Sequence, residues 1–259
     1  MTDRVSITVT DQIADVRLTR ADKMNALDPD MFRAIGAAID ELHGRTDIRC
    51  VVLSGEGRAF CAGLDMASMA AGGSGTGATR NAQGSILPQH VTWGWHELPM
   101  PVIAAVHGVA FGGGFQIMSG ADIRIAAPGT RFAIRESYWG LVPDMAGWAV
   151  WRGLVRDDVL RELAYTAREF DADEALGHGF ITRIAEEPHA AAMALARDIA
   201  TKSPHAIRGI KRLANMAHDA DPRTILETET LEQMAVIGKP NMMEQVAANM
   251  QKRAAVFVD

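Results

Sequence analysis

The chain has 259 residues, 48% of them hydrophobic, with 26 basic against 32 acidic side chains and a formal net charge of −6. Scattered basic residues on an acidic chain exclude the electrostatic footprint of a nucleic-acid binder, and the apolar content is enough for one large α/β unit, alone or with a small helical extension. The two cysteines, Cys50 and Cys61, are too few for a disulfide framework and sit in no zinc-binding pattern, so a reducing, cytoplasmic setting without a metal is expected.

The chain begins MTDRVSITVTDQIADVRLTR, with no basic region leading into a long apolar run. No segment approaches about 18 uninterrupted apolar residues, so no membrane partner is expected. Residues 5–9 and 13–18 are β-prone runs separated by Thr10-Asp11-Gln12 and predict an opening hairpin. Asp28 before Pro29 is an N-cap with proline at the first helical position; Met31, Ile35, Ile39 and Leu42 then recur at helical spacing, which predicts a helix over 29–43. Residues 50–54 read as a buried strand ending in Gly55-Glu56-Gly57, and 101–106 as a second that runs straight into a glycine segment. Between them, from about residue 67 to 89, SMAAGGSGTGATRNAQGSILPQ reads as a mobile surface loop. Residues 123–126 and 131–134 predict two more short strands. Helices follow over 148–154, 159–167 and 172–176, then a strand near 180–184. The remainder is helical, with Pro188, Pro204, Pro222 and Pro240 each near a helix start. The order of strand, glycine turn and helix argues for an α/β core over 1–200 and a helical module over 201–259.

The stretch Gly108-Val109-Ala110-Phe111-Gly112-Gly113-Gly114-Phe115-Gln116 places three glycines where a strand turns into a helix. It lacks the Lys-Ser/Thr of a phosphate loop and the spaced third glycine of a dinucleotide fingerprint, so a bound phosphate is disfavoured. The glycines either allow tight packing or free a first-turn N–H to act as a donor to an oxyanion. A second donor is then expected from Ser54 to Met66, which also follows a buried strand and presents glycine just before a helix start at Asp65.

Four segments in this order, KMNALD, SGEGRAFCAGLDM, PVIAAVHGVAFGGGFQI and FAIRESYWGLVPDMAG, together resemble the enoyl-CoA hydratase/isomerase (crotonase) family over essentially the whole chain. The resemblance implies a crotonase-like spiral of ββα units whose C-terminal helical module serves oligomerisation and pocket closure, in a homotrimer or dimer of trimers. It implies an acyl-CoA substrate and no separate cofactor, coenzyme A being part of the substrate. The backbone N–H groups of Leu64 and Gly113 would polarise the thioester carbonyl, and Lys23, Ala26, Ala62, Gly63, Asp65 and Met66 would hold the CoA portion. Lys23 also reads simply as a solvated surface lysine.

Hydratases of this family share the added water between two glutamates, which map onto position 116, here Gln116, and onto Glu136. An amide has no protonation change near neutral pH, so Gln116 is left to hold water or substrate, or merely to pack. Dienoyl-CoA isomerases of the family carry a proton-transferring aspartate at the position of Asp144, which here also fits a helix N-cap. Glu136 and Asp144 are therefore the expected proton carriers, in double-bond isomerisation more than hydration. The alternatives are a 2-enoyl-CoA hydratase using Glu136 alone, or a catalytically weak acyl-CoA binding protein. Burial against Trp139 or Phe132 is expected to tune Glu136, with Trp139 in the substrate pocket and Trp93 in the acyl pocket wall. His107 is expected to make structural hydrogen bonds.

Overall fold

The computed structural model describes residues 4–70, 79–82 and 84–258. Strands β1 (Val5–Thr10) and β2 (Ile13–Leu18) form the expected antiparallel hairpin, Thr10 opposite Ile13. Asp11 and Gln12 both take left-handed φ values, 51° and 63°, the conformation whose twist suits a two-residue hairpin turn. From β2 onward the strands of the main sheet pair in parallel: β3 (Cys50–Gly55), β4 (Val102–Val106), then, beyond the short β5 (Val109–Phe111), β6 (Ile123–Ala126), and, beyond β7 (Arg131–Ala133), β8 (Arg183–Ile184). The six-stranded sheet runs β1-β2-β3-β4-β6-β8.

Parallel strands need crossovers and are covered on both faces, which explains the unbroken apolar runs CVVL and VIAAV. Alternate residues separate cleanly. Cys50, Val52, Ile103 and Ala105 face Ala192 and Ala196 of a later helix, while Val51, Leu53, Val102 and Ala104 join the main core. Helices α1 (Pro29–His43), α2 (Met66–Ala70), α3 (Leu87–Glu97) and α4 (Gly113–Ser119) connect the first strands; α5 (Gly147–Trp151), α6 (Asp157–Thr166) and α7 (Ala172–His178) lead to β8. A second, smaller layer stands off the main sheet: Cys61 bridges Ala110 of β5, β5 pairs with β7, and Phe132 of β7 bridges Phe170. Phe115 packs at the centre of an aromatic cluster with Phe132, Phe170, Phe180 and Trp151, locking α4 beneath this layer.

The chain closes with α8 (Pro188–Ala200), α9 (Pro204–Met216), α10 (Pro222–Val236) and α11 (Pro240–Gln251), each carrying proline in its first turn. Buried Lys211 fixes α9 to the core, donating to the Trp95 and Met100 carbonyls and to Asp122 at 2.8 Å. No helix among the described residues is long and apolar enough to cross a membrane.

Two segments depart from the sequence reading. The stretch read as a loop over 67–89 holds α2 and the start of α3, and its residues 71–78 and 83 lie outside the described residues. Helix α3 was signalled by Pro88 in its first turn, by Gln89 accepting from the Ile86 N–H, and by Val91 and Trp95 four apart and buried, a pattern masked by the small residues before it. Strand β5 is short and separate from β4, because Gly108 turns the chain out of the main sheet into the second layer.

Gly114 marks the closest approach of α4 to the loop after β3, since a Cβ there would press on the Cys61 carbonyl oxygen and lie 2.7 Å from the Cys61 Cβ. The Gly114→Ala variant is expected to lose at least about 2 kcal/mol of stability, as overpacked cores do. A thermal melt unchanged from the wild type would contradict this close contact.

Candidate active site

The loop after β3 and the turn into α4 are pressed together. A Cβ at Gly63, whose φ is +88°, would sit 2.6 Å from the Phe111 carbonyl and 3.6 Å from the Gly113 nitrogen, so only glycine lets these backbones meet. Leu64 is held from behind: the Leu27 N–H donates to Gly63 O and the Asp65 N–H to Leu27 O. These bonds use the neighbours of Leu64 and leave its own N–H out. Gly113 is the first residue of α4, where an N–H has no intrahelical acceptor. Among the described residues neither N–H has a backbone or side-chain partner, and both residues line a cavity of about 140 Å³. Two free donors on the lining of one cavity are suited to an oxygen that gains negative charge.

Glu136 forms the facing wall with Trp139 and Leu141. It is 7% exposed, and its Oε2 is buried without a hydrogen-bond partner. Its Oε1 lies 2.6 Å from Gln116 Nε2. Burial pushes the Glu136 carboxyl above its ordinary range; the Gln116 hydrogen bond opposes that, and the charge of Asp144 adds to it. Asp144 is exposed as a residue, yet partial desolvation of its carboxyl raises it too. It is no N-cap: α5 begins at Gly147 behind Ala146, with no side-chain cap. Nor does Arg135 pair with Glu136. Its guanidinium bonds to Ala167 O and Glu169 and lies over the Phe111 and Tyr138 rings.

Other expected residues scatter more widely. Ala62, Gly63 and Met66 line the cavity, and Trp139, 52% exposed, stands at its mouth. Lys23 is exposed on a single 3-10 turn, and the Ala26 carbonyl accepts from Arg20. The Asp65 carboxylate is engaged by Arg20 at 2.7 Å and caps α2 through the Ala67 and Ser68 N–H groups, so the Arg20 hydrogen bond holds it below its ordinary range. Trp93 does not join this wall. It stacks near His96 and lines a different cavity of about 240 Å³, with Arg152 and His218. A still larger cleft, about 840 Å³ between the β1–β2 turn and helices α8, α9 and α11, contains none of the residues expected to do chemistry. Gln116, expected in the pocket, is 1% exposed and lies behind Glu136, off the cavity lining. His107 bonds Gly57 O at 2.9 Å, as expected. The Cys61 thiol is pushed up to about 12 by burial, which leaves no thiolate nucleophile.

Sequence reasoning missed Asn25. Its left-handed backbone and buried amide, donating to the Glu56, Ala59 and Phe60 carbonyls, strap the early chain to the loop that presents Leu64. Asn25 lies in the KMNALD segment between Lys23 and Ala26, the two residues of that segment expected at the CoA portion. Among the described residues no group of three or more metal-ligating side chains occurs.

A two-layer ββα spiral with helices closing its C-terminal end is the crotonase fold. A crystal structure of an enoyl-CoA hydratase from Bacillus anthracis matches it with a TM-score of 0.88 at 25% identity, over 98% of this chain and 99% of that one. The chain belongs to the enoyl-CoA hydratase/isomerase family, whose model it matches over residues 8–259. Its relatives include the mitochondrial Delta(3,5)-Delta(2,4)-dienoyl-CoA isomerase of Mus musculus, 32% identical over 93% of this chain and 77% of that protein. They also include the short-chain-enoyl-CoA hydratase of Clostridium acetobutylicum, 31% identical over 85% of this chain and 84% of that one.

Because the Glu136 carboxyl is raised, the folded chain holds its proton more tightly than the unfolded chain. The stability this lends is full below the ordinary carboxylate range and lost as pH rises through the folded value. Glu136→Gln is therefore expected to melt at a higher temperature than the wild type at about pH 8, with the gain shrinking toward about pH 4. An equal gain at both, or a loss at the higher pH, would contradict the burial of an uncompensated charge.

Proposed function

We propose that the protein isomerises a carbon–carbon double bond in an unsaturated acyl-CoA thioester. The Leu64 and Gly113 N–H groups receive the thioester oxygen and stabilise the charge it gains when the chain loses a proton. Glu136 takes that proton through Oε2 and forms a dienolate. The proton returns at another carbon as the dienolate electrons shift, so the double bond moves, water is not consumed, and Glu136 ends ionised as it began. Asp144 sits close enough to influence the Glu136 charge and serves as the second proton carrier, toward the exposed side: it receives the abstracted proton from Glu136 and passes it to the other carbon, so that both carboxylates end ionised. The observation that carries this reading is the buried, unpartnered Oε2 of Glu136, a residue that lines the same cavity as two free donors and is backed by an amide that cannot titrate. The isomerases among the relatives support it.

The hydratases among the relatives favour one second reading, addition of water with Glu136 as sole acid–base group. Under either reading coenzyme A belongs to the substrate, no separate cofactor is needed, and Ala62, Met66 and the exposed Lys23 are the CoA contacts we propose; the Asp65 carboxylate is already committed to Arg20. We also assign self-association to the C-terminal helices, because Leu226, Leu231 and Met234 on α10 and Met243 and Met250 on α11 leave large apolar side chains exposed.

Incubated with 2-enoyl-, 3-enoyl- and 3,5-dienoyl-CoA, the protein is expected to yield products of unchanged mass and altered absorbance. A product heavier by one water supports the hydratase reading, and tight binding without turnover supports a binding protein. Glu136→Gln is expected to lower kcat about 10²–10⁴-fold and Gly113→Pro, which deletes one N–H, about 10²–10³-fold. Full activity in both folded variants would refute the assignment. Light scattering is expected to show three or six chains for the wild type and a smaller species for Leu231→Glu with Met234→Glu.

A further inference from the structure

The hydrogen bonds around Gln116 fix its amide without ambiguity. One end accepts from the Met145 N–H at 3.0 Å and the Gly147 N–H at 2.9 Å. Two backbone donors can meet only an oxygen, so the amide nitrogen is the atom 2.6 Å from Glu136 Oε1. An amide nitrogen only donates, so Oε1 must accept whether Glu136 is ionised or neutral. When Glu136 is neutral its proton therefore resides on Oε2, the oxygen with no partner of its own.

We propose that Gln116 is a positioning residue: it fixes Oε2 as the one oxygen of Glu136 that carries the proton, and it clamps the segment bearing Asp144 to the same helix. The inference rests on the isomerase reading above. Few other residue types meet these demands together. A glutamate at 116 would accept both backbone N–H groups but would set a second negative charge against Glu136. Asparagine is one methylene too short to span both partners, and leucine would strand the Met145 and Gly147 donors along with Oε1 in a buried place. A Cβ on Gly147 would come 2.7 Å from the Gln116 oxygen, so the loop can close on this amide only through glycine. The segment from Gly140 to Ala146, which includes Asp144, is thus held at one end by Glu136, whose carbonyl accepts from the Leu141 N–H, and at the other by Gln116. The charged groups around Glu136 are few. Asp144 acts on it from this segment, Arg135 is turned to Glu169 and the Ala167 carbonyl, and Asp65, beside Leu64, is paired with Arg20.

The test is an infrared titration of the substrate-free protein, following the carboxylic-acid band that disappears in Glu136→Gln. In Gln116→Leu the Glu136 midpoint is expected to rise by about one pH unit or more, because a hydrogen bond that favours the ionised form is lost. On the thioester that the wild type turns over, kcat is expected to fall about 10²-fold with KM little changed, since Gln116 positions Glu136 without lining the cavity. A midpoint and kcat equal to those of the wild type would overturn the proposal. Should Gln116→Leu fail to fold, Gln116→Glu keeps both backbone acceptors, and its two facing carboxyls are expected to titrate in two separated steps, one above and one below the wild-type midpoint. A single unshifted step would overturn the proposal as well. A wild type that turns over no thioester refutes the isomerase reading; an unmoved midpoint in an active enzyme refutes only the role of Gln116.

Discussion

The structure depends on one close approach of backbone to backbone. Gly63 and the turn from Phe111 to Gly113 meet without room for a side chain, and that contact places two N–H groups with no acceptors on one small cavity. Leaving buried donors unsatisfied is unfavourable in most folds, where such groups are nearly all paired. Here several features hold the arrangement in place: the Asn25 strap, the Leu27 bonds on both sides of Leu64, and Arg20 pinning Asp65. The aromatic cluster around Phe115 fixes the other half. A preformed pair of donors needs no reorganisation when charge develops on a bound oxygen, which is where such sites gain their effect.

The carboxyl chemistry is arranged by the same packing. Glu136 is buried among Gly112, Trp139 and Leu141, and that environment raises its proton affinity. Gln116 works against this by donating to one oxygen, while Asp144 works with it through charge. The result is a carboxyl poised above its ordinary range with one of its two oxygens occupied. Glu136 and Asp144 differ in exposure, one enclosed and one open to solvent, a difference that under the proposed isomerase reading would separate a proton carrier facing the substrate from one that exchanges with the outside.

Much of this was legible in the chain. The proline-started helices, the hairpin and the buried parallel strands follow from local rules that do not depend on the rest of the fold. Leu64, Gly113 and Glu136 were found through motif segments, and the structure brings them to one cavity. What failed to show were relations set by tertiary closure. Gln116 reaches Met145 and Gly147, 29 and 31 positions away, and no spacing rule connects them. Asp144 fits a helix cap because it precedes a helix and aspartate favours that place, but the turn runs on to Ala146 before the helix begins. Trp93 was expected in the acyl pocket wall from the family resemblance alone, and the side of α3 on which it falls, toward a different cavity, is set by how that helix packs.

The proposed roles of Leu64, Gly113 and Glu136 depend on where a thioester lies. The most direct measurement is a crystal structure with an unreactive acyl-CoA analogue that keeps the thioester carbonyl. The account predicts its oxygen within about 3 Å of both the Leu64 and Gly113 nitrogens, with Glu136 Oε2 the nearest side-chain oxygen to the acyl chain and Gln116 still behind it. A carbonyl bound away from those two nitrogens, or a chain that approaches Gln116 in place of Glu136, would contradict it.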